Sequence, residues 1–134
     1  MNTATIIDVD EEIRQYVETA LWSSNDYADE SGGEPMDANY GPDDLAPAAH
    51  GEMAATVRAF IDGNRADCEL WTRELGTGQV GHDLWLTQNG HGAGFWDRFS
   101  TGPAHEAGER LTEAARPYGS VDLYVGDDGK VYAQ

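Results

Sequence analysis

The chain has 134 residues, 40% of them apolar and 10% aromatic, and a formal net charge of −17 from 25 acids against 8 bases. That length suits one core rather than two, and the apolar content excludes a wholly disordered chain. No apolar run nears the ~18 residues a membrane span needs, and the opening Met1-Asn2-Thr3 lacks the regions of a signal peptide, so one soluble intracellular domain over residues 1–134 is expected.

The first helix is predicted from near Asp10, where Asp10, Glu11 and Glu12 sit at the positive end of the helix dipole. Ile13, Tyr16, Val17, Ala20 and Leu21 follow at helical spacing, with Glu18 on the opposite face, and Ser23-Ser24-Asn25 stops the pattern. Residues 25–44 read as a long acidic loop, broken by Gly32-Gly33, Pro35 and Gly41-Pro42 and carrying Asp26, Asp29, Glu30, Glu34, Asp37, Asp43 and Asp44. It is either a solvated excursion or a partner-binding loop.

A second helix is predicted after Asp44 or Pro47, with Met53, Val57, Phe60 and Ile61 as its apolar stripe. Beyond Gly63-Asn64, a further helix is expected through Cys68, Trp71 and Leu75 to Gly76. The single cysteine cannot form an internal disulfide and, among apolar neighbours, reads as core filler.

His82 to Thr87 reads as a strand leading into a hairpin turn at Asn89-Gly90. A helix is expected from Pro103 to about Arg116, and Val121, Leu123 and Val125 alternate before Asp127-Asp128-Gly129 and the return strand Val131-Tyr132. The expected fold class is α+β, with three or four helices on a small, mostly antiparallel sheet of about three strands. Trp85, Phe95 and Trp96 read as core, and Tyr124 and Tyr132 as neighbours across the last hairpin.

The segment from Gly81 to Arg98 packs two His, two Asp, one Arg, two Trp and four Gly into eighteen residues. His82, Asp83, His91 and Asp97 are the candidate metal ligands, though their spacing matches no established site, and Arg98 completes a possible enzymatic cluster. The alternative is that these groups bind backbone amides in a glycine-rich turn, with Asp97 and Arg98 as a local ion pair. Ser100, Thr101 and His105 supply hydrolytic residue types without a nucleophile elbow, and the glycines lack the Lys-Ser/Thr of a phosphate loop. No cofactor is predicted.

The run Gly81-His82-Asp83-Leu84-Trp85-Leu86-Thr87-Gln88-Asn89-Gly90-His91-Gly92-Ala93-Gly94-Phe95-Trp96-Asp97-Arg98, together with Asp122-Leu123-Tyr124-Val125-Gly126-Asp127-Asp128-Gly129-Lys130-Val131-Tyr132, resembles a family of small uncharacterised bacteriophage proteins. The resemblance implies a phage origin, hence the cytoplasm of an infected bacterial host, and implies no catalytic role.

Charge provides the strongest functional signal. Residues 1–75 hold 17 acids and 4 bases, whereas residues 76–134 hold 8 acids and 4 bases. Such a field attracts basic surfaces and repels nucleic acid and anionic lipid. The expected partner is therefore a host protein with a basic surface, met by Asp10, Glu11, Glu12, Glu18, Asp26, Asp29, Glu30, Glu34, Asp37, Asp43 and Asp44, with neither direct nucleic-acid binding nor membrane contact. A nucleic-acid mimic blocking a defence or regulatory factor is one version of this reading. A metal-dependent enzyme centred on residues 82–98 and a minor virion or assembly protein are the alternatives. Salt adaptation accounts for acidity in total but not for its skew. Oligomeric state is left open.

Overall fold

The computed structural model describes residues 6–26, 33–90 and 92–134. Among them are five α-helices: α1 (Val9–Ser23), α2 (Pro47–Gly63), α3 (Arg65–Leu75), α4 (Gln79–Gln88) and α5 (Gly102–Ala115). Two small antiparallel ladders accompany them. Strand β1 (Asn25–Asp26) pairs with β2 (Glu34–Pro35), and β3 (Leu123–Val125) pairs with β4 (Val131–Ala133). The fold is α+β and dominated by helices.

The first helix starts at Val9, one residue before the acids that predicted it. Asp8 is its cap, accepting the Glu11 N–H at 3.1 Å. The apolar stripe from Ile13 to Leu21 is buried as its spacing requires, but Thr19, expected beside Glu18 on the opposite face, is buried as well, its hydroxyl donating to the Gln15 carbonyl at 2.6 Å. α2 begins on Pro47, whose missing N–H costs nothing in a first turn, and it buries Met53, Val57, Phe60 and Ile61. Gly76 ends α3 at φ 101°.

The largest departure from expectation is α4. Residues 82–87 form no strand, and Asn89 is the cap of a helix rather than part of a hairpin turn. Val80, Leu84 and Gln88 share one face at helical spacing, but Gly81, Asp83, Trp85 and Leu86 are buried as well. A helix covered on most sides has no polar stripe, so its sequence shows no 3.6-residue period and resembles a buried strand. With that strand gone, the predicted three-stranded sheet shrinks to the C-terminal hairpin and the short β1–β2 ladder, and the helix count rises to five.

Gly81 makes the central position of α4 possible. A Cβ at this residue would collide with the carbonyl oxygen of Glu12, so its absence lets α1 and α4 touch backbone to backbone. Around this crossing, Tyr16 packs edge-on to Trp85 with ring centroids 5.3 Å apart and donates to Gln88 Oε1 at 2.7 Å. Trp71, Phe60 and Phe95 continue the same connected core. Trp96 does not join it and stands 48% exposed.

The segment read as a loop over residues 25–44 has regular structure wherever it is described. Besides the β1–β2 ladder it contains 3₁₀ turns at Met36–Ala38 and Pro42–Asp44. Met36 is its only buried side chain between residues 33 and 44, and the Met36 N–H bonds the Ser24 carbonyl at 2.8 Å. In the C-terminal hairpin Tyr124 and Tyr132 face each other and stack at 5.6 Å. The hairpin is joined to the start of α2 by the Ala46 N–H bonding the Val131 carbonyl at 2.8 Å.

Candidate functional site

Two groups of residues compete as the functional site. The first is centred on Asp83, in the middle of α4 and fully buried. Its Oδ2 accepts from Trp71 Nε1 at 2.9 Å and from Arg98 Nε at 3.2 Å. Its Oδ1 accepts from Gln79 Nε2 at 2.9 Å and Arg98 Nη2 at 2.6 Å, and lies 3.0 Å from His82 Nδ1. Burial alone would raise the Asp83 carboxyl, but the bonds from His82, Arg98 and Trp71 outweigh it and hold the group below its ordinary range. The hydrogen bonds and charge of Asp83 in turn raise the Arg98 guanidinium.

This arrangement ties α3, α4 and the Phe95–Asp97 turn together. It leaves Asp83 with no oxygen unengaged, since both carboxylate atoms already accept two or more donors. Asp97 turns the other way, capping its own 3₁₀ turn by accepting the Gly94 N–H at 3.0 Å, and it reaches Arg98 only at 4.0 Å. Of the four metal candidates, His82 and Asp83 adjoin, Asp97 is committed elsewhere and His91 lies outside the described residues. No group of three His, Cys, Asp or Glu side chains converges among the described residues. The chemistry of this cluster is that of a charge-assisted internal brace.

Cys68, with no accessible surface, stays out of any reactive role: burial first, then the charges of Glu12 and Asp67, push its thiol up to about 12.

The second group is the acidic surface. Glu12 has to be removed from it. This side chain is fully buried, and its carboxylate accepts the N–H of Gly78 and the N–H of Gly81, both at 2.8 Å, across the gap between α1 and α4. These are orphan donors of the α4 N-terminus, so the acid acts as an internal helix cap instead of a partner contact. Asp29 and Glu30 lie outside the described residues, as does the side chain of Asp26.

Asp10, Glu34, Asp37, Asp43 and Asp44 are exposed, and Glu11 and Glu18 half-buried. Among the described residues, two arginines pair with these acids. Arg14 lies 3.5 Å from Glu11 and 3.3 Å from Glu18, while Arg58 reaches Asp10 at 3.9 Å. Exposed pairs of this kind are weak and easily exchanged. Two arginines elsewhere in the fold have firmer partners: Arg110 forks onto Asp67 at 2.8 and 2.9 Å, and Arg98 onto Asp83.

The acidic surface is not flat. Along the exposed side of α1 run two adjoining grooves that share Pro42. One, of about 260 Å³, has Asp10, Arg14, His50 and Arg58 on its walls. The other, of about 340 Å³, is walled by Glu18, Leu21, Trp22, Asp37, Tyr40 and Pro42. Sequence reasoning missed Trp22, which is 45% exposed. The available signal was its position outside the apolar stripe and one turn beyond Glu18, where a core residue has no reason to be.

A larger cleft of about 450 Å³ lies between the end of α1 and the segment before β3. Two of its polar side chains are engaged internally: Ser23 Oγ accepts from Trp85 Nε1 at 2.7 Å, and Asn89 bonds the Trp85 carbonyl at 3.0 Å and the Val121 N–H at 2.8 Å.

No helix among the described residues is long and apolar enough to cross a membrane. Comparison of the chain with family models, curated proteins and solved structures finds no match.

Proposed function

We propose that this chain is a non-enzymatic bacteriophage accessory protein whose acidic surface over residues 10–44 binds a basic surface on a host protein. The observation that carries the reading is the uneven compensation of charge. Seven acids of that surface, Asp10, Glu11, Glu18, Glu34, Asp37, Asp43 and Asp44, are exposed or half-buried with Arg14 and Arg58 as their only ion-pair partners among the described residues, whereas Asp67 and Asp83 are held by forked arginines. A field of one sign steers a basic partner to the surface and adds to binding over a Debye length of ~10 Å at 0.1 M salt. The buried Asp83 cluster, with its oxygens all engaged, supports a bracing role for the segment that looked most enzyme-like. Imitation of nucleic acid is the specific form proposed, in which the captured host protein loses its own DNA or RNA binding.

The chain immobilised and exposed to a bacterial lysate at low ionic strength is expected to retain basic proteins that elute as salt rises. The Asp37→Asn, Asp43→Asn, Asp44→Asn triple variant should retain them less well. Retention that ignores both salt and these substitutions would show that the acidic surface is not the binding face.

A further inference from the structure

The groove beside Trp22 has a composition that general acidity does not require. We propose that it receives an arginine side chain of the basic partner, stacked on the Trp22 indole and paired with the acids at the rim. This inference rests on the partner-binding reading above and adds the chemistry of the contact.

Three observations converge on it. Trp22 is large, apolar and 45% exposed at the last turn of α1, yet its ring is not loose: the His82 ring stands behind it at 6.0 Å with an interplanar angle of 35°. A ring supported on one side presents the other as a fixed platform. Tyr40 and Pro42 line the same groove, held by the bond from the Tyr40 N–H to the Met36 carbonyl at 2.9 Å and by the turn at Pro42–Asp44. Glu18 and Asp37 supply negative charge from the two sides of the groove, and Asp37 makes no ion pair among the described residues.

This combination selects arginine over lysine. A guanidinium is planar, stacks on an aromatic face and offers a fork of donors to carboxylates, whereas an ammonium is a compact and strongly hydrated point charge. The groove, at about 340 Å³, has room for one long side chain and not for a folded segment. Glu18 is shared with Arg14 of the same helix, so an incoming arginine exchanges one exposed ion pair for another while gaining the indole.

The experiment compares hexa-arginine and hexa-lysine peptides binding to the whole chain at low salt, by calorimetry and by the Trp22 indole N–H resonance. The expected result is that hexa-arginine binds about fivefold more tightly and shifts the Trp22 resonance. Trp22→Ala should bring the two peptides to nearly equal affinity, and Asp37→Asn should weaken both with the fold untouched. Equal affinities for the unsubstituted chain, or an arginine preference that survives Trp22→Ala, would overturn the groove assignment and leave the acidic-surface reading standing. Failure of both peptides to bind at all would overturn both readings.

Discussion

The carboxylate of Glu12 accepts the N–H of Gly81 at 2.8 Å, and the backbone of Glu12 is what a side chain on Gly81 would strike. One residue of α1 thus fixes α4 in two ways, by capping its N-terminus and by setting the distance of approach. An acid from the most negative part of the sequence has become the internal joint between the two helices at the centre of the fold. Its burial shows why charge in a sequence does not translate directly into charge on a surface.

The joint predicts two destabilised variants. Glu12→Ala leaves two buried N–H groups without an acceptor, at a cost of about 1–3 kcal/mol each, and Gly81→Ala forces α1 and α4 apart at a cost of about 1–3 kcal/mol or more. Urea midpoints of both variants should fall well below that of the parent chain. A Gly81→Ala chain as stable as the parent would mean that the two helices do not meet at this residue.

Asp83 gives a prediction in pH. Its folded-state pKa lies below its ordinary 3.8, so the unfolded chain takes up the proton more readily. The stabilisation is then complete above about pH 4 and is lost as pH falls through the lower folded value. Glu12 has the opposite sign. Burial raises its carboxyl against the lowering effect of the Gly81 and Gly78 bonds, so its contribution is largest below its ordinary 4.5 and declines as pH rises through the folded value. Removal of one buried partner, as in Asp83→Ala, should cost about 3–5 kcal/mol, while Arg98→Lys keeps a charge and loses the fork. A urea midpoint that does not fall as the pH drops below about 4, or that falls equally in the Arg98→Lys chain, would remove Asp83 as the source.

Much of this architecture was legible from residue spacing. α1, α2, α3 and α5 each bury one face, and their stripes and breakers marked them to within a few residues. The hairpin was visible through Val121, Leu123, Val125 and the Asp127-Asp128-Gly129 turn. α4 was not, because a helix surrounded by protein has no face left to be polar. The same burial explains the site. Asp83 and Glu12 have the residue type of surface or catalytic groups, and only their neighbours 12 to 69 positions away reveal them as internal acceptors. Trp96 failed in the other direction: an aromatic between Phe95 and Asp97 looked like core, but a three-residue 3₁₀ turn buries the first of these rings and exposes the second.

Cys68 tests the packing of α3. With no accessible surface and a thiol pushed up to about 12 by burial, it should resist alkylation in the folded chain at about pH 8 and react fully once the chain is unfolded. Rapid modification under native conditions would show that α3 opens readily from the core. The Asp67–Arg110 pair, which fastens α3 to α5, would then be the first contact to suspect.

Met36 tests the link between fold and proposed function. It is the one fully buried side chain in residues 33–44 and so the main anchor of the acidic segment in the core, with half-buried Tyr40 packed against the same core. Met36→Ala removes most of that anchor and should cost about 2–5 kcal/mol. The loss should also be local. Amide exchange is expected to accelerate at Asn39 and Tyr40, whose N–H groups bond the Met36 carbonyl at 3.1 and 2.9 Å, while the Tyr124–Tyr132 hairpin keeps its protection. If the Trp22 groove needs Tyr40 and Pro42 held in place, arginine-peptide affinity should fall in the same variant although no acid has been touched. Unchanged exchange at Tyr40 together with unchanged affinity would mean that the segment is held by contacts other than Met36, with the β1–β2 ladder and the Gly41–Asp44 turn as the remaining attachments.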